Sequence, residues 1–237
     1  MLPWPAAGQA TISPRGGSPY PRGYHAGLRH SPRTADTMPP LPPIVQALLL
    51  INVAVFCIDA ISGPWLTRLF ALWPPGHGLF MPWQVVSYAF LHGSVTHLFF
   101  NMLGLWMFGS ELERLWGERR FLQFYTASVL TAAAVQLVFS LLTGMANPLV
   151  GASGGLFGLL LAYGMTFPNR TIMPLFPPIP MKAKVFVAVY GALELFLGVT
   201  GTMSGIAHFA HLGGMLGGFL MIRYWRGQPP FKGRRRF

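Results

Sequence analysis

The chain has 237 residues, of which 52% are hydrophobic and only 10% charged. With a mean hydropathy of +0.47, this composition excludes an ordinary soluble domain and indicates a polytopic membrane protein. The formal charge of +11 falls in short clusters beside apolar spans, where attraction to anionic lipid accounts for it and no nucleic acid is needed.

Residues 1–43 hold Pro, Gly, Ser and Arg with little apolar periodicity and end in Pro39, Pro40, Pro42 and Pro43. That composition predicts a disordered basic tail. Nothing near Met1 reads as a signal peptide, and Met38, just ahead of the proline cluster, is a candidate translation start that would leave 1–37 untranslated. Residues 44–225 then supply six spans of membrane length, at 44–62, 94–113, 121–143, 151–167, 183–200 and 204–224. The expected fold is an all-α membrane protein, a six-helix transmembrane bundle, closed by a basic tail over 226–237. The 63–93 connection between the first two spans carries Trp65, Trp73 and Trp83, which predicts a structured element in the membrane interface. Cys57, inside the first span, has no partner for an internal disulfide and reads as packing.

Basic residues set the orientation. Sixteen of the seventeen Lys and Arg residues fall before Pro39, after the second span, after the fourth, or at the C-terminus, and only Arg68 lies on the other side. The positive-inside rule then puts both termini in the cytoplasm and 63–93 outside. Minimal extramembrane sequence favours a bacterial inner membrane.

The fourth span is short. Ser153 to Phe167 is 15 residues, about 22 Å of helix against a hydrocarbon core of roughly 30 Å. Ser153 is therefore expected below the outer surface, and the approach through Asn147, Pro148, Leu149 and Val150 must enter the membrane as irregular backbone enclosed by protein or by a water-filled cavity.

Ser153 is set among Gly151, Gly154, Gly155 and Gly158, and His211 precedes Gly213, Gly214, Gly217 and Gly218. Small residues at four-residue spacing let membrane helices approach backbone to backbone. Such packing would bring the hydroxyl and the imidazole within hydrogen-bond reach, the arrangement by which a base activates a serine. On the second span His97 and Asn101 are four residues apart on one helix face, continued by Gly104 and preceded by His92 and Ser94. An Asn amide and a His N–H are suitable donors to a developing oxyanion.

These residues carry a resemblance. The run from His97 to Asn101 after His92, then Gly109, Glu113 and Gly117, then Gly151-Ala152-Ser153-Gly154, then Ala210-His211 with Gly214 and Gly218, resembles the rhomboid family of intramembrane serine proteases from about Pro43 to Tyr224. The resemblance implies that Ser153 is the nucleophile and His211 the general base, a dyad without a third carboxylate. It also implies that His97 and Asn101 stabilise the oxyanion, and that Phe157 stacks on the catalytic imidazole. Gly109, Glu113, Gly117, Gly214 and Gly218 take structural places. Transmembrane segments of other membrane proteins would be the substrates, with no metal and no organic cofactor. Gln84 stands beside Trp83 where the family usually has Arg, which puts the local hydrogen bonding of that loop in doubt. His208 lacks the following glycine pattern and is not read as the base.

Other readings are weaker. Asp59 and Glu194 lie within spans but in no matched motif, so neither is taken as a third triad member. Glu111, Glu113 and Glu118 alternate with Arg114, Arg119 and Arg120, which suggests ion pairing and capping. A metalloprotease built on His92, His97, His208 and His211 has no His-Glu-x-x-His run and no carboxylate close to those histidines in sequence. A rhomboid-fold protein that holds membrane clients without cutting them is the non-enzymatic alternative. Access from lipid is expected through a gate made by residues 201–205, with Phe196 and Met203 closing it.

Overall fold

The structure, a computed structural model, describes residues 40–63, 65–175, 178–201 and 207–231. The N-terminal tail through 39 with Met38, the last six residues and residues 202–206, which include 202–205 of the expected gate, lie outside them. The described chain is mostly helical: α1 (Pro43–Ser62), α2 (Trp65–Phe70), α3 (Gln84–Ser87), α4 (Val95–Gly104), α5 (Ser110–Trp116), α6 (Glu118–Thr143), α7 (Ser153–Thr166), α8 (Ala183–Thr200) and α9 (His208–Trp225). A five-residue π-helical segment, Leu105–Gly109, joins α4 to α5, so the second expected span runs on as one helix with a widened turn, a feature common near functional sites. Between α7 and α8 the strands β1 (Thr171–Ile172) and β2 (Met181–Lys182) pair antiparallel, a hairpin that apolar periodicity gave no reason to expect.

Helices α1, α6 and α8 are long and apolar enough to cross a membrane, and α7 is a shorter apolar helix of 14 residues. Their outer faces carry large apolar side chains such as Ile61, Leu142 and Val199, all more than 70% exposed, a surface that requires lipid rather than water. The protein is an integral membrane protein. Helix α9 differs because it packs on α6, α7 and α8 and buries four glycines and two histidines, while Leu216, Phe219 and Tyr224 stay exposed.

The start of α1 shows how one buried acid organises distant sequence. Pro43 opens the helix, a position where its missing N–H costs nothing, and the next two amides, of Ile44 and Val45, donate to Glu113 Oε1 and Oε2 at 2.9 and 2.8 Å. Glu113 is buried in the middle of α5, and its carboxylate satisfies two orphan donors at the positive end of the α1 dipole. Gly109, one turn earlier, admits Val45: a Cβ there would lie 3.1 Å from Val45 Cγ2. Gly117 turns the chain from α5 into α6 at φ +79, which an L side chain resists. Hydrogen bonds to an ionised group contribute about 1.5–3 kcal/mol each. Glu113→Ala is therefore expected to lower the melting temperature in detergent markedly, while Glu113→Gln, keeping one acceptor, lowers it less. Equal melting of all three proteins would remove this capping role.

Gln84 organises the 63–93 connection. It is fully buried; its Oε1 accepts from the Trp73 and Met81 amides at 3.3 and 3.1 Å, and its Nε2 donates to the Leu69 and Leu79 carbonyls at 3.1 and 2.8 Å. The doubt raised by the missing Arg is thus resolved by a neutral amide that serves as donor and acceptor at once. Trp83 Nε1 donates to the Leu69 carbonyl at 3.0 Å. This connection also meets the approach to α7: Leu72 and Leu149 exchange backbone bonds at 3.0 and 2.9 Å, and the Gly151 amide donates to Tyr88 O at 3.0 Å. The irregular backbone before Ser153 is thus tied to protein at Leu149 and Gly151.

Candidate active site

Helices α6, α7 and α9 approach through their glycines. A Cβ on Gly154 would meet Ala132 Cβ at 2.5 Å, one on Gly158 would meet Ser128 Oγ at 2.2 Å, and one on Gly214 would meet Gly154 O at 1.8 Å. On α9, a Cβ on Gly218 would lie 2.8 Å from Phe124 Cζ and 3.1 Å from Gly158 O. The backbones of α7 and α9 therefore touch, and the first residue of α7 is brought against the first turn of α9.

There Ser153 Oγ lies 2.8 Å from His211 Nε2. The His211 ring is stacked on Phe157, with centroids 4.3 Å apart and planes 8° from parallel. Gly151 has φ +122, and a Cβ on it would stand 2.7 Å from His97 Cε1 and Nε2, so the bare glycine lets the His97 imidazole lie beside the hydroxyl. Ser94 caps α4 by accepting from the His97 amide at 3.1 Å. Asn101 is buried, and its Nδ2 donates to the His97 carbonyl at 3.0 Å. A cavity of about 610 Å³ is lined by His97, Asn101, Ser153, Phe157 and His211 among others. All five polar or aromatic site candidates from the sequence thus border one space.

His92 stands beside them in the connection ahead of α4, edge-on to His97 at 5.0 Å. Burial, and then the neighbouring His97, push its imidazole down to about 4. Its ring is neutral at physiological pH.

The expectation of no third carboxylate is corrected by the geometry. Glu194 Oε2 lies 2.9 Å from His211 Nδ1 and 2.7 Å from His208 Nδ1. Sequence distance hid this contact, because Glu194 comes from α8 and its register on α9 is set by packing. Gly198 rests on His208 Cβ and Phe209 Cε2, both 3.2 Å from where its own Cβ would be, and Gly191 rests on Met215 Cε at 3.2 Å. The sequence marked Glu194 as an ionisable residue within an apolar span, but the same signal marked Asp59 and did not say which of the two meets the histidine. Asp59 remains apart, accepting from Thr67 Oγ1 at 3.3 Å.

The same trio bears on the metal reading, since one ligand atom from each of Glu194, His208 and His211 lies within 4.8 Å of the others. A tetrahedral zinc with bonds of about 2.0–2.1 Å holds its ligand atoms roughly 3.3 Å apart. Separations of 2.7 and 2.9 Å are those of direct hydrogen bonds.

The family model of the rhomboid domain matches residues 80–227, more than half of the chain. Among curated relatives, "Rhomboid protease GluP" of Bacillus subtilis is 33% identical over 58% of this chain and 25% of its own length. "Rhomboid protein 1, mitochondrial" of Saccharomyces cerevisiae is 32% identical over 75% of this chain and 51% of its own length. "Rhomboid protease GlpG" of Yersinia pestis is 27% identical over 77% and 62%, respectively. The chain thus spans between 25% and 62% of these relatives' lengths. With the matched region running from the Gln84 connection through the glycine-packed α7 and α9, the chain belongs to the rhomboid family.

Proposed function

We propose that the protein is an intramembrane serine endopeptidase that cleaves transmembrane segments of other membrane proteins. The observation that carries this reading is the 2.8 Å approach of Ser153 Oγ to His211 Nε2 at the wall of the cavity that His97 and Asn101 also line. Ser153 Oγ–H donates to the Nε2 lone pair. Attack on the scissile carbonyl moves that proton to His211 and forms a tetrahedral oxyanion. Collapse expels the amine, which takes the proton back, and water admitted to the cavity hydrolyses the acyl-enzyme by the same route. Relatives named as rhomboid proteases support the activity.

The membrane arrangement belongs to the same proposal. Six crossings, formed by α1, the continuous α4–α5 helix, α6, α7, α8 and α9, place both termini on the cytoplasmic side of a bacterial inner membrane. The lysines and arginines then meet the anionic leaflet.

Incubating the purified protein in detergent with labelled single-span substrates, and mapping the products by mass, tests the activity directly. Cleavage by the wild type and none by Ser153→Ala supports the reading. Tight client binding with no product from any substrate would favour the non-proteolytic alternative.

The oxyanion assignment makes its own prediction. Asn101 Nδ2 carries two hydrogens, and its bond to the His97 carbonyl engages one of them. Loss of one oxyanion donor can slow turnover by on the order of 10²–10³. Asn101→Ala and His97→Ala should each fall in that range while still allowing Ser153 to react with a small fluorophosphonate. Wild-type turnover in both variants would return the pair to a structural role.

A further inference from the structure

We propose that Glu194 is the positioning residue of this site and that His208 anchors it, so that Ser153 and His211 work within a four-member hydrogen-bonded chain. The inference rests on the serine–histidine reading and deepens it.

A single oxygen, Glu194 Oε2, meets Nδ1 of both histidines, at 2.9 Å for His211 and 2.7 Å for His208. An ionised carboxylate only accepts, so both Nδ1 atoms must carry protons. For His211 that assignment leaves the Nε2 lone pair facing Ser153 Oγ–H at 2.8 Å, which is the tautomer a general base requires. A free imidazole has two tautomers, and only one of them is competent.

The carboxylate also answers the charge that appears during turnover. When His211 accepts the serine proton, its imidazolium lies between groups from three helices. Glu194 from α8 is the anion, Ser153 and Phe157 come from α7, and His97 of α4 lines the same cavity. Among these described groups the carboxylate is the one that carries the opposite charge, and the stacked Phe157 face adds a weaker cation–π attraction. Buried surroundings strengthen that attraction relative to water.

His208 explains why the carboxylate holds its place. Glu194, His208 and His211 are all largely buried, with side chains 12%, 6% and 11% exposed, and an acid held by one donor alone would leave more of its hydrogen-bonding capacity unmet. His208 sits one helical turn before His211, its ring almost perpendicular to that of His211 at 6.4 Å. Two donors from one helix therefore converge on one oxygen of another. Phe157 covers the His211 face while Glu194 fixes its edge, so both ring rotation and tautomer are constrained.

The test uses the full-length protein and a cleavable single-span substrate. Glu194→Ala should lower kcat by on the order of 10²–10⁴, the range seen when the acid of a serine–histidine site is removed, with KM little changed. Glu194→Asp should recover part of the rate. Glu194→Gln keeps an acceptor but loses the charge, so it should fall between them, and the acid limb of its kcat/KM profile should move to lower pH because the imidazolium has lost its counter-ion. His208→Ala should cost on the order of tenfold, the loss of one hydrogen bond to a charged acceptor. A purely structural role would change melting temperature and yield without moving that acid limb. Wild-type kcat in Glu194→Ala, or an unmoved limb in Glu194→Gln, overturns the proposal.

If the alanine variants fail to fold, the wild type still decides. Nitrogen-15 labelled histidine should report protonated Nδ1 and bare Nε2 at both positions, and a resting His211 protonated at Nε2 overturns the assignment. Full activity in Glu194→Ala beside a dead Ser153→Ala would sink this inference alone. An active, folded Ser153→Ala would sink the reading beneath it.

Discussion

Ser153→Ala and His211→Ala are each expected to abolish cleavage of a transmembrane substrate, and the double variant is expected to be no slower than either single one. The hydroxyl and the imidazole share one proton across 2.8 Å, so removing either member removes the whole nucleophile and the second deletion finds nothing left to take away. Product formation would be followed for all four proteins after melting temperature and monodispersity show that each is folded. Additive losses would mean that the two side chains act separately. Cleavage retained by folded Ser153→Ala would end the serine mechanism. A metal chelator should leave the wild-type rate unchanged, in keeping with hydrogen-bond rather than metal-ligand spacing around Glu194.

Gly214→Ala is expected to do to the fold what Ser153→Ala does to the chemistry. An alanine Cβ there would lie 1.8 Å from Gly154 O, 2.7 Å from Gly154 C and 3.1 Å from Gly154 Cα. All three obstacles are backbone atoms, which no rotamer change can move aside. Overpacking a core typically costs about 1–3 kcal/mol, and more where the structure cannot yield. Here relief requires α7 and α9 to separate, and since Gly154 follows Ser153 while Gly214 follows His211 by three residues, the same separation breaks the site. The expected result is a large fall in folded yield and melting temperature, with no activity in what remains. Gly191→Ala is the companion, because its Cβ would meet only the flexible end of Met215 at 3.2 Å and should be mild. A Gly214→Ala protein that melts like wild type would show that α7 and α9 do not touch as described.

Much of the site was legible because its members lie in apolar sequence where polar groups are costly. Ser153, His211, His97 and Asn101 stood out against hydrocarbon-grade surroundings, and glycines at four-residue spacing pointed to the helices that would meet. Phe157 required the family resemblance, since an aromatic one turn from a serine has no meaning by periodicity alone. Gln84 misled for a related reason: the residue differs from the family's usual Arg, yet a neutral amide bonded to four backbone groups serves the loop. Sequence named the position, and local geometry supplied the chemistry.

Glu194 was weighed as a third member and set aside because its contact with His211 is a matter of register. Read along α8 it is one acid among Leu193, Leu195 and Phe196, and nothing local says which neighbour it faces. The face that α8 turns to α9 is the one on which Gly198 seats against His208 and Phe209. That contact exists only once both helices are packed.

By itself, the sequence determined that this is a helical membrane protein, which spans are apolar, and which serine and histidine sit on small-residue faces. Those properties depend on the transfer cost of each side chain and on spacings along one helix, both readable locally. Tertiary structure alone decided that Glu113 caps α1 from the middle of α5, that the approach to Ser153 is tied to Leu72 and Tyr88 at Leu149 and Gly151, and that Glu194 joins His208 to His211. Each of those contacts links different segments of the chain, and its distance is set by how closely backbones approach, a quantity that no single segment contains.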